Sequence, residues 1–398
     1  MMNRSLPSEC STDFSSPKAW QSFREQFPVR EKWAYFDNAA VAPLPQVTAE
    51  AVRNWLQQAS CEGDTVWLDW SRRTNEVRQT AAEMIGADTS EVAFVANTTA
   101  GIGLVAEGFT WQDGDNVVTF ENEFPSNLYP WMNLSDRGVE TRRVPVENGI
   151  PDLDRLDEAC DERTRMITVS WVGYASGYRL DVNQVSAIAR KHGALFFLDA
   201  IQGLGVFPLD VHEAGVDFLA ADGHKWMVAP EGAGLLYVAQ PALAQLRPLG
   251  VGWNSVKQRS DYKNVALNLR DEASRYEGGS PNMMSLHALG ASLDLIRGQG
   301  VGPHKSPFGE RVVHLTDVAS ELLADAGARI VSPRVEGHKA GILVFDVPNV
   351  EPATFRNRCM ESGIVLSCRG AGIRISPHAY NDEDELTRLA DVVREFVA

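Results

Sequence analysis

The chain has 398 residues, enough for two domains and a large core. Hydrophobic residues make up 44% and charged residues 23%, the proportions of a soluble globular protein. A formal net charge of −16 argues against nucleic acid or an anionic membrane as partner, because nothing would neutralise phosphates broadly, though a local basic pocket for one anion stays open.

The cysteines (Cys10, Cys61, Cys160, Cys359 and Cys368) are scattered, with no CxxC pair or mixed Cys/His spacing. Reduced thiols and no metal site are expected, and His304 and His314 read as solvated surface. The first residues, MMNRSLPSECSTDF, contain no apolar stretch of signal-peptide type, and no run approaches the ~18 apolar residues of a membrane span. The expectation is a cytoplasmic protein.

Residues 1–30 are polar and broken by Pro7, Pro17 and Pro28, with Trp20, Phe23 and Phe27 at helical spacing. A short amphipathic helix in an N-terminal arm is expected. WAYFDNAAVAPLP (33–45) reads as a short strand and a turn holding Asp37 and Asn38, beside small residues that let backbone approach a ligand. A helix over about 46–85 follows, broken near Cys61-Glu62-Gly63-Asp64. EVAFVANTTAGIGLVAEG (91–108) is a strand, then Thr98 and Thr99 at a helix start, where hydroxyls and free N–H groups suit an anion. The same region offers a rival: Gly101, Gly103 and Ala106 match GxGxxA, and Glu121 ends the strand-like run 116–120, which outlines a dinucleotide fingerprint. Asn97-Thr98-Thr99-Ala100 stands where that fingerprint wants a tight turn.

The loop ENEFPSNLYPW (121–131) contains Phe124, which suits the face of a planar ring. Strand, helix and strand then alternate through 139–192, the mark of a largely parallel sheet with helices on both faces. Two apolar runs follow, 194–198 and 216–220, each too short for a free-standing helix and each ending at polar residues. Buried parallel strands read this way, and ligands collect at their carboxyl ends. The first run delivers Asp199, and the second Asp222-Gly223-His224-Lys225. A carboxylate and a lysine at neighbouring strand ends are what pyridoxal 5'-phosphate (PLP) needs: an amine for a Schiff base, and an acid to keep the ring nitrogen protonated. Beyond Tyr237 the pattern becomes irregular over 241–280, then gives helices at 283–297, 309–326, 352–361 and 381–397 among strand-like runs at 341–347, 363–367 and 371–376.

LDAIQ, GHKW, NTT, EGGSPN and GIRISPH occur in a combination that resembles the class V aminotransferase family of fold-type I PLP enzymes, which includes cysteine desulfurases, selenocysteine lyases and isopenicillin N epimerase-like proteins. The resemblance runs from YFDNAA at 35 to RISPHAYN at 374. It implies an α/β fold with a mainly parallel, seven-stranded-type sheet in a large PLP-binding domain (31–282). A smaller α+β domain (283–398) would follow, with the arm (1–30) packing on it. It implies Lys225 as Schiff-base lysine and Cα base, Asp199 on the pyridine nitrogen, Gln202 on the phenolic oxygen, and Thr98, Thr99 and His224 around the phosphate. It implies that Ser280 completes the phosphate site of the other subunit of a homodimer, Arg374 pairs with the substrate α-carboxylate, and Asn38 lies at the substrate mouth.

Departures from the family bear on the reaction. Desulfurases of this kind stack a histidine on the ring where this chain has Phe124, which stacks but moves no proton. They also carry a nucleophilic cysteine on a mobile loop before the carboxylate-binding arginine. Here Cys368 precedes Arg374 by only RGAGI, and falls on a strand. Tyr174 stands near the ring oxygen as a phenolic hydrogen-bonding or proton-donating group, and Asp222, where a phosphate-binding serine is common, is expected to turn to Arg275 or a backbone amide. The expectation is an aminotransferase or β-elimination (C–S lyase) enzyme acting on an α-amino acid, with cysteine desulfurase, selenocysteine lyase or epimerase as alternatives and a non-catalytic PLP-fold protein as a distant one. Side-chain specificity is expected from the 33–45 turn, the 124–131 loop, Tyr174 and the 250–270 segment of the partner subunit; there Arg259, Lys257 and Arg270 read as a solvated loop, with recognition of an acidic substrate side chain as the alternative.

Overall fold

The computed structural model describes residues 16–369 and 372–397. Cys10, Pro7 and the start of the N-terminal arm lie outside these residues, as do Gly370 and Ala371 of the RGAGI segment. In chain order the first elements are α1 (Pro17–Arg24), β1 (Ala34–Tyr35), α2 (Gln46–Cys61), α3 (Trp67–Met84), β2 (Val92–Val95), α4 (Thr98–Gly108), β3 (Asn116–Phe120) and α5 (Tyr129–Met132). Next come β4 (Glu140–Val144), α6 (Leu153–Glu158), β5 (Thr164–Ser170), α7 (Val182–His192), β6 (Leu195–Asp199), β7 (Phe218–Asp222) and β8 (Gly234–Val238). The remainder is α8 (Met283–Gly298), α9 (Pro307–Asp325), β9 (Arg329–Ile330), β10 (Leu343–Asp346), α10 (Pro352–Glu361), β11 (Ile364–Val365), β12 (Ser367–Arg369), β13 (Gly372–Ile375) and α11 (Glu383–Val397).

Strands β3, β7 and β8 are buried at every position, so they read as continuous apolar runs rather than alternating ones. They lie in a seven-stranded sheet of order β2-β8-β7-β6-β5-β3-β4. The pairs from β4 to β7 are parallel, and β8 runs antiparallel to both β7 and β2. The reversal at β8 was not expected from sequence. It arises because the 223–233 segment returns directly, with Gly223 N–H donating to Ala233 O, instead of crossing over through a helix. Phe196, Phe197 and Phe218 are fully buried in the core of this sheet, each contributing roughly 1.5–3 kcal/mol by burial.

Helix α8 packs on α2 and α3, where Thr48 Oγ1 and Ser292 Oγ lie 2.6 Å apart and Arg73 pairs with Asp294 at 2.6 Å. A second core gathers around the antiparallel sheet β12-β13-β10-β9, with Phe345, Phe355, Ile373 and Leu389 fully or almost fully buried. Helix α9 serves both cores: Phe308 and Val312 enter the first, Leu315 and Ala319 the second. Helix α1 starts on Ser16, whose hydroxyl accepts from Ala19 N–H, and buries Phe23. It is tied down by Trp20 Nε1 donating to Ala379 O and Arg24 pairing with Asp382 at 2.7 Å. Strand β1 pairs in parallel with β11, and Asp37 bridges to Ser376. That pairing brings the 37–42 turn, from the start of the chain, against the segment that carries Arg374.

Candidate active site

The carboxyl ends of β2, β5, β6 and β7 converge with the 37–42 turn and the β12–β13 hairpin on a cavity of about 350 Å³. It is lined by Thr98, Thr99, Phe124, Tyr174, Asp199, Gln202, His224, Lys225 and Arg374, all singled out from sequence.

One wall is an anion cradle. Asn97 caps α4, its Oδ1 accepting from Ala100 N–H at 2.8 Å, so the first-turn amides of Thr98 and Thr99 have no acceptor within the helix. Thr98 Oγ1 accepts from Asp222 N–H at 2.9 Å, which locks the helix start to the end of β7 and leaves its hydroxyl proton free to donate. Thr99 Oγ1 donates to Ser126 Oγ at 2.8 Å. Asp222 does not turn to Arg275. One of its oxygens accepts from Gly223 N–H at 2.7 Å and the other lies 2.8 Å from His224 Nδ1. The acid therefore faces the Nδ1 edge of the imidazole and leaves the far edge of that ring for an anion. The dinucleotide rival gains nothing here, because Gly101 serves helix packing: a Cβ at that position would stand 2.9 Å from the Ala220 Cβ.

The same cavity holds the amine and the acid. Lys225 is half-buried, and loss of hydration pulls its ammonium down from an ordinary 10.5 to about 8; Asp199 opposes this shift and Arg374 adds to it. Asp199 is raised from 3.8 to about 6, first by burial, against the hydrogen bond from Ile201 N–H and the charge of Lys225. Lys225 Nζ lies 5.6 Å from the centre of the Phe124 ring, which meets Tyr174 edge-on with centroids 5.1 Å apart. Three residues on, Val228 takes φ +48, a left-handed conformation that costs a β-branched residue roughly 1–3 kcal/mol. The strain is held by its N–H donating to Lys225 O and by Ser292 Oγ donating to Val228 O.

Gln202 has a fixed orientation. An indole N–H only donates, so the bond from Trp226 Nε1 at 2.8 Å must fall on Gln202 Oε1. The amide nitrogen then donates one proton to Ala39 O at 3.0 Å, and its second N–H remains for a ligand. Arg374 is only 2% exposed and donates to Asp37 Oδ1 at 3.0 Å and to Tyr174 O at 3.2 Å. Among the described residues its Nε has no partner.

Two expected residues lie elsewhere. Asn38 does not line the mouth: its amide donates to Ser376 O at 2.8 Å and its oxygen accepts from Tyr380 OH at 3.1 Å, so it is consumed in joining the turn to the 376–380 segment. Ala39, Ala40 and Val41 form that rim instead. Ser280 is exposed and outside this cavity, just beyond Glu277, which takes a bidentate pair from Arg78. Arg259 and Arg270 bind Asn254 Oδ1, and Lys257 pairs with Asp271 at 2.5 Å; none of the three lines the cavity.

The sequence reading missed Glu123. It is buried behind Phe124 and accepts from Ser170 N–H at 2.7 Å, from the Ser170 hydroxyl, and from Asn127 Nδ2 at 3.1 Å. Ser170 is the register partner of Asp199, so Glu123 pins the aromatic loop beside the site's acid. Burial raises its carboxyl from 4.5 to about 7, against those hydrogen bonds, and Asp199 adds to the rise. A carboxyl raised in the fold stabilises it fully below its ordinary value, and that contribution is lost as pH climbs through the folded value. In the cofactor-free protein Glu123 and Asp199 both act in this sense, at about 1.4 kcal/mol for each tenfold change in proton affinity. The thermal midpoint is expected to fall between about pH 5 and pH 8, and Glu123→Gln to flatten that fall in a calorimetric pH series.

The whole chain has known likenesses. A probable cysteine desulfurase of Methanothermobacter thermautotrophicus is 29% identical, over 94% of this chain and 98% of its own. An uncharacterized aminotransferase of Bacillus subtilis, YcbU, is 26% identical over 94% and 97%. Among solved structures, the apo cysteine desulfurase of Thermococcus onnurineus NA1 matches with a TM-score of 0.85 and 25% identity, covering 95% of this chain and 98% of that one. The cystine C–S lyase C-DES, solved with cysteine persulfide, shares the fold with a TM-score of 0.86 at 23% identity, over 93% and 99%. Residues 34–389 match the Aminotransferase class-V family model, and with the PLP-type cavity at its centre the chain belongs to that family.

Proposed function

We propose that this protein moves the Cα proton of an α-amino acid, leading to transamination or to β-elimination of a sulfur leaving group, without passing sulfur to a cysteine of its own. Family membership makes it a PLP-dependent enzyme, and the cavity's half-buried amine, buried acid and anion cradle fit that cofactor. When bound, PLP supplies an electron sink for the charge left on Cα as its proton departs. Lys225 would hold PLP covalently and, once displaced by the substrate amine, carry the proton; an amine lowered to about 8 is partly neutral near physiological pH, as a base must be. Asp199 would keep the ring nitrogen protonated, and a cation beside it favours its ionised form. Thr98, Thr99 and His224 would receive the phosphate, the spare N–H of Gln202 the phenolic oxygen, and Phe124 one face of the ring. Tyr174 would offer its phenol from the edge, and Arg374 would bind the α-carboxylate.

The observation that carries this reading is the placement of Cys368. Strand alternation sends Cys368 to the face of the β12–β13 hairpin opposite Ser367 and Arg374. It is absent from the cavity lining, and burial raises its thiol, which disfavours the thiolate a persulfide carrier needs. The other reading, cysteine desulfurase, is favoured by the names of similar proteins. Cys368→Ala separates the two. The proposed chemistry predicts turnover of the amino acid within about twofold of the native protein. Abolished sulfide release, with a persulfide mapped to Cys368 in the native protein, would establish the desulfurase.

The resemblance further implies a homodimer in which Ser280 reaches the partner's phosphate site. Its exposed position supports this, as does an apolar surface on 251–267 where Tyr262, Val265 and Leu267 are 78%, 92% and 76% exposed. The double substitution Val265→Asp with Leu267→Asp is expected to turn a dimer into a monomer in analytical ultracentrifugation and to weaken PLP retention.

A further inference from the structure

Among the described residues, Arg374 is paired with Asp37 at 3.0 Å and Lys225 lies in the field of Asp199. Arg369 also lines the cavity and, among the described residues, makes no ion pair: it is exposed, and its one hydrogen bond, 3.0 Å to Cys368 O, is to its own neighbour. Its charge is felt at both Lys225 and Arg374.

The hairpin register fixes where Arg369 stands. Ser367 is opposite Arg374, and Arg369 is opposite Gly372. Ser367 and Arg369 share a face by strand alternation, and Ser367 Oγ and Arg374 both donate to Asp37 Oδ1, which confirms that this face turns to the site. Arg369 and Arg374 are therefore diagonal neighbours, with Cβ atoms about 7–8 Å apart. Two guanidinium groups at that spacing converge on two acid groups separated by a short carbon chain, each forming charge-assisted hydrogen bonds.

We propose that Arg369 is the specificity determinant for a substrate with an acidic side chain, an aspartate- or glutamate-like amino acid or its sulfinate analogue, while Arg374 takes the α-carboxylate. This rests on the α-amino-acid reading given above. The phosphate has its own cradle at α4, so Arg369 is left for substrate. Arg369 is the cation that the chain's own hairpin brings to the cavity beside Arg374.

The test is a titration of the holoenzyme with aspartate, glutamate, asparagine, glutamine and alanine, read as the change in cofactor absorbance. Maleate and propionate are measured alongside as amine-free ligands by calorimetry. The acids are expected to bind about 10- to 100-fold more tightly than their amides, and maleate more tightly than propionate. Arg369→Gln is expected to erase both preferences while leaving PLP content and alanine affinity within about threefold, and Arg369→Lys to restore part of them. Equal binding of acids and amides by the native protein overturns the inference, as does an Arg369→Gln variant that keeps the preference or instead loses PLP. A holoenzyme that responds to no amino acid overturns the amino-acid reading beneath it.

Discussion

Replacing Lys225 with alanine is expected to lower turnover by about 10⁴-fold or more and to release PLP on gel filtration. Two functions are lost together, the covalent anchor and the proton carrier. Among the described residues lining the cavity Lys225 is the one primary amine, and Arg369 and Arg374 are guanidinium groups that form no Schiff base, so the covalent anchor has no replacement. The 223–233 segment is held by backbone bonds, Gly223 N–H to Ala233 O and Ala229 N–H to Gly223 O, that alanine preserves. The variant should therefore fold, and circular dichroism with a thermal midpoint close to native would show that the loss is chemical.

Asp199→Asn is the second large effect. The amide nearly matches the carboxylate in shape and its oxygen still accepts from Ile201 N–H, so packing at the end of β6 is kept. What goes is the negative charge that holds a proton on the ring nitrogen, and with it the electron sink at Cα. A fall in kcat of about 10²- to 10³-fold is expected, with substrate KM changed far less, because the proposed hold of Arg374 on the α-carboxylate would be untouched. The sign of the accompanying stability change is opposite in the cofactor-free protein. There Asp199 is a buried acid raised to about 6, and the neutral amide removes a charge that is costly above that pH. Asp199→Asn is thus expected to raise the thermal midpoint of the cofactor-free protein at pH 8 while crippling the holoenzyme.

Much of this architecture was legible because single residues carried strong local signals. The run ending at Asp199, the run ending before Lys225, and Thr98-Thr99 at a helix start are each set by a strand end or a cap, and the site is assembled from such ends. What was not legible depended on pairings between distant segments. Asn38 sits in a turn that looked open, and only the approach of Ser376 and Tyr380, more than 330 residues along, consumes its amide. Glu123 looked like loop polarity until Ser170 and Asn127 closed around it. Arg369 was passed over because its relation to Arg374 is set by the β12–β13 register rather than by spacing along the chain. The same register decides the fate of Cys368. Its nearness to Arg374 in sequence already left too little chain for a mobile loop, and strand alternation turns it to the face away from Arg374.

Lys225 as the covalent seat of PLP is the claim on which the rest depends, and one measurement tests it most directly. Holoenzyme reduced with borohydride and digested should yield a single PLP-bearing peptide, with the added mass on Lys225 and the visible absorbance gone. Label on another lysine, or a cofactor that dialyses away untouched by borohydride, would contradict the account.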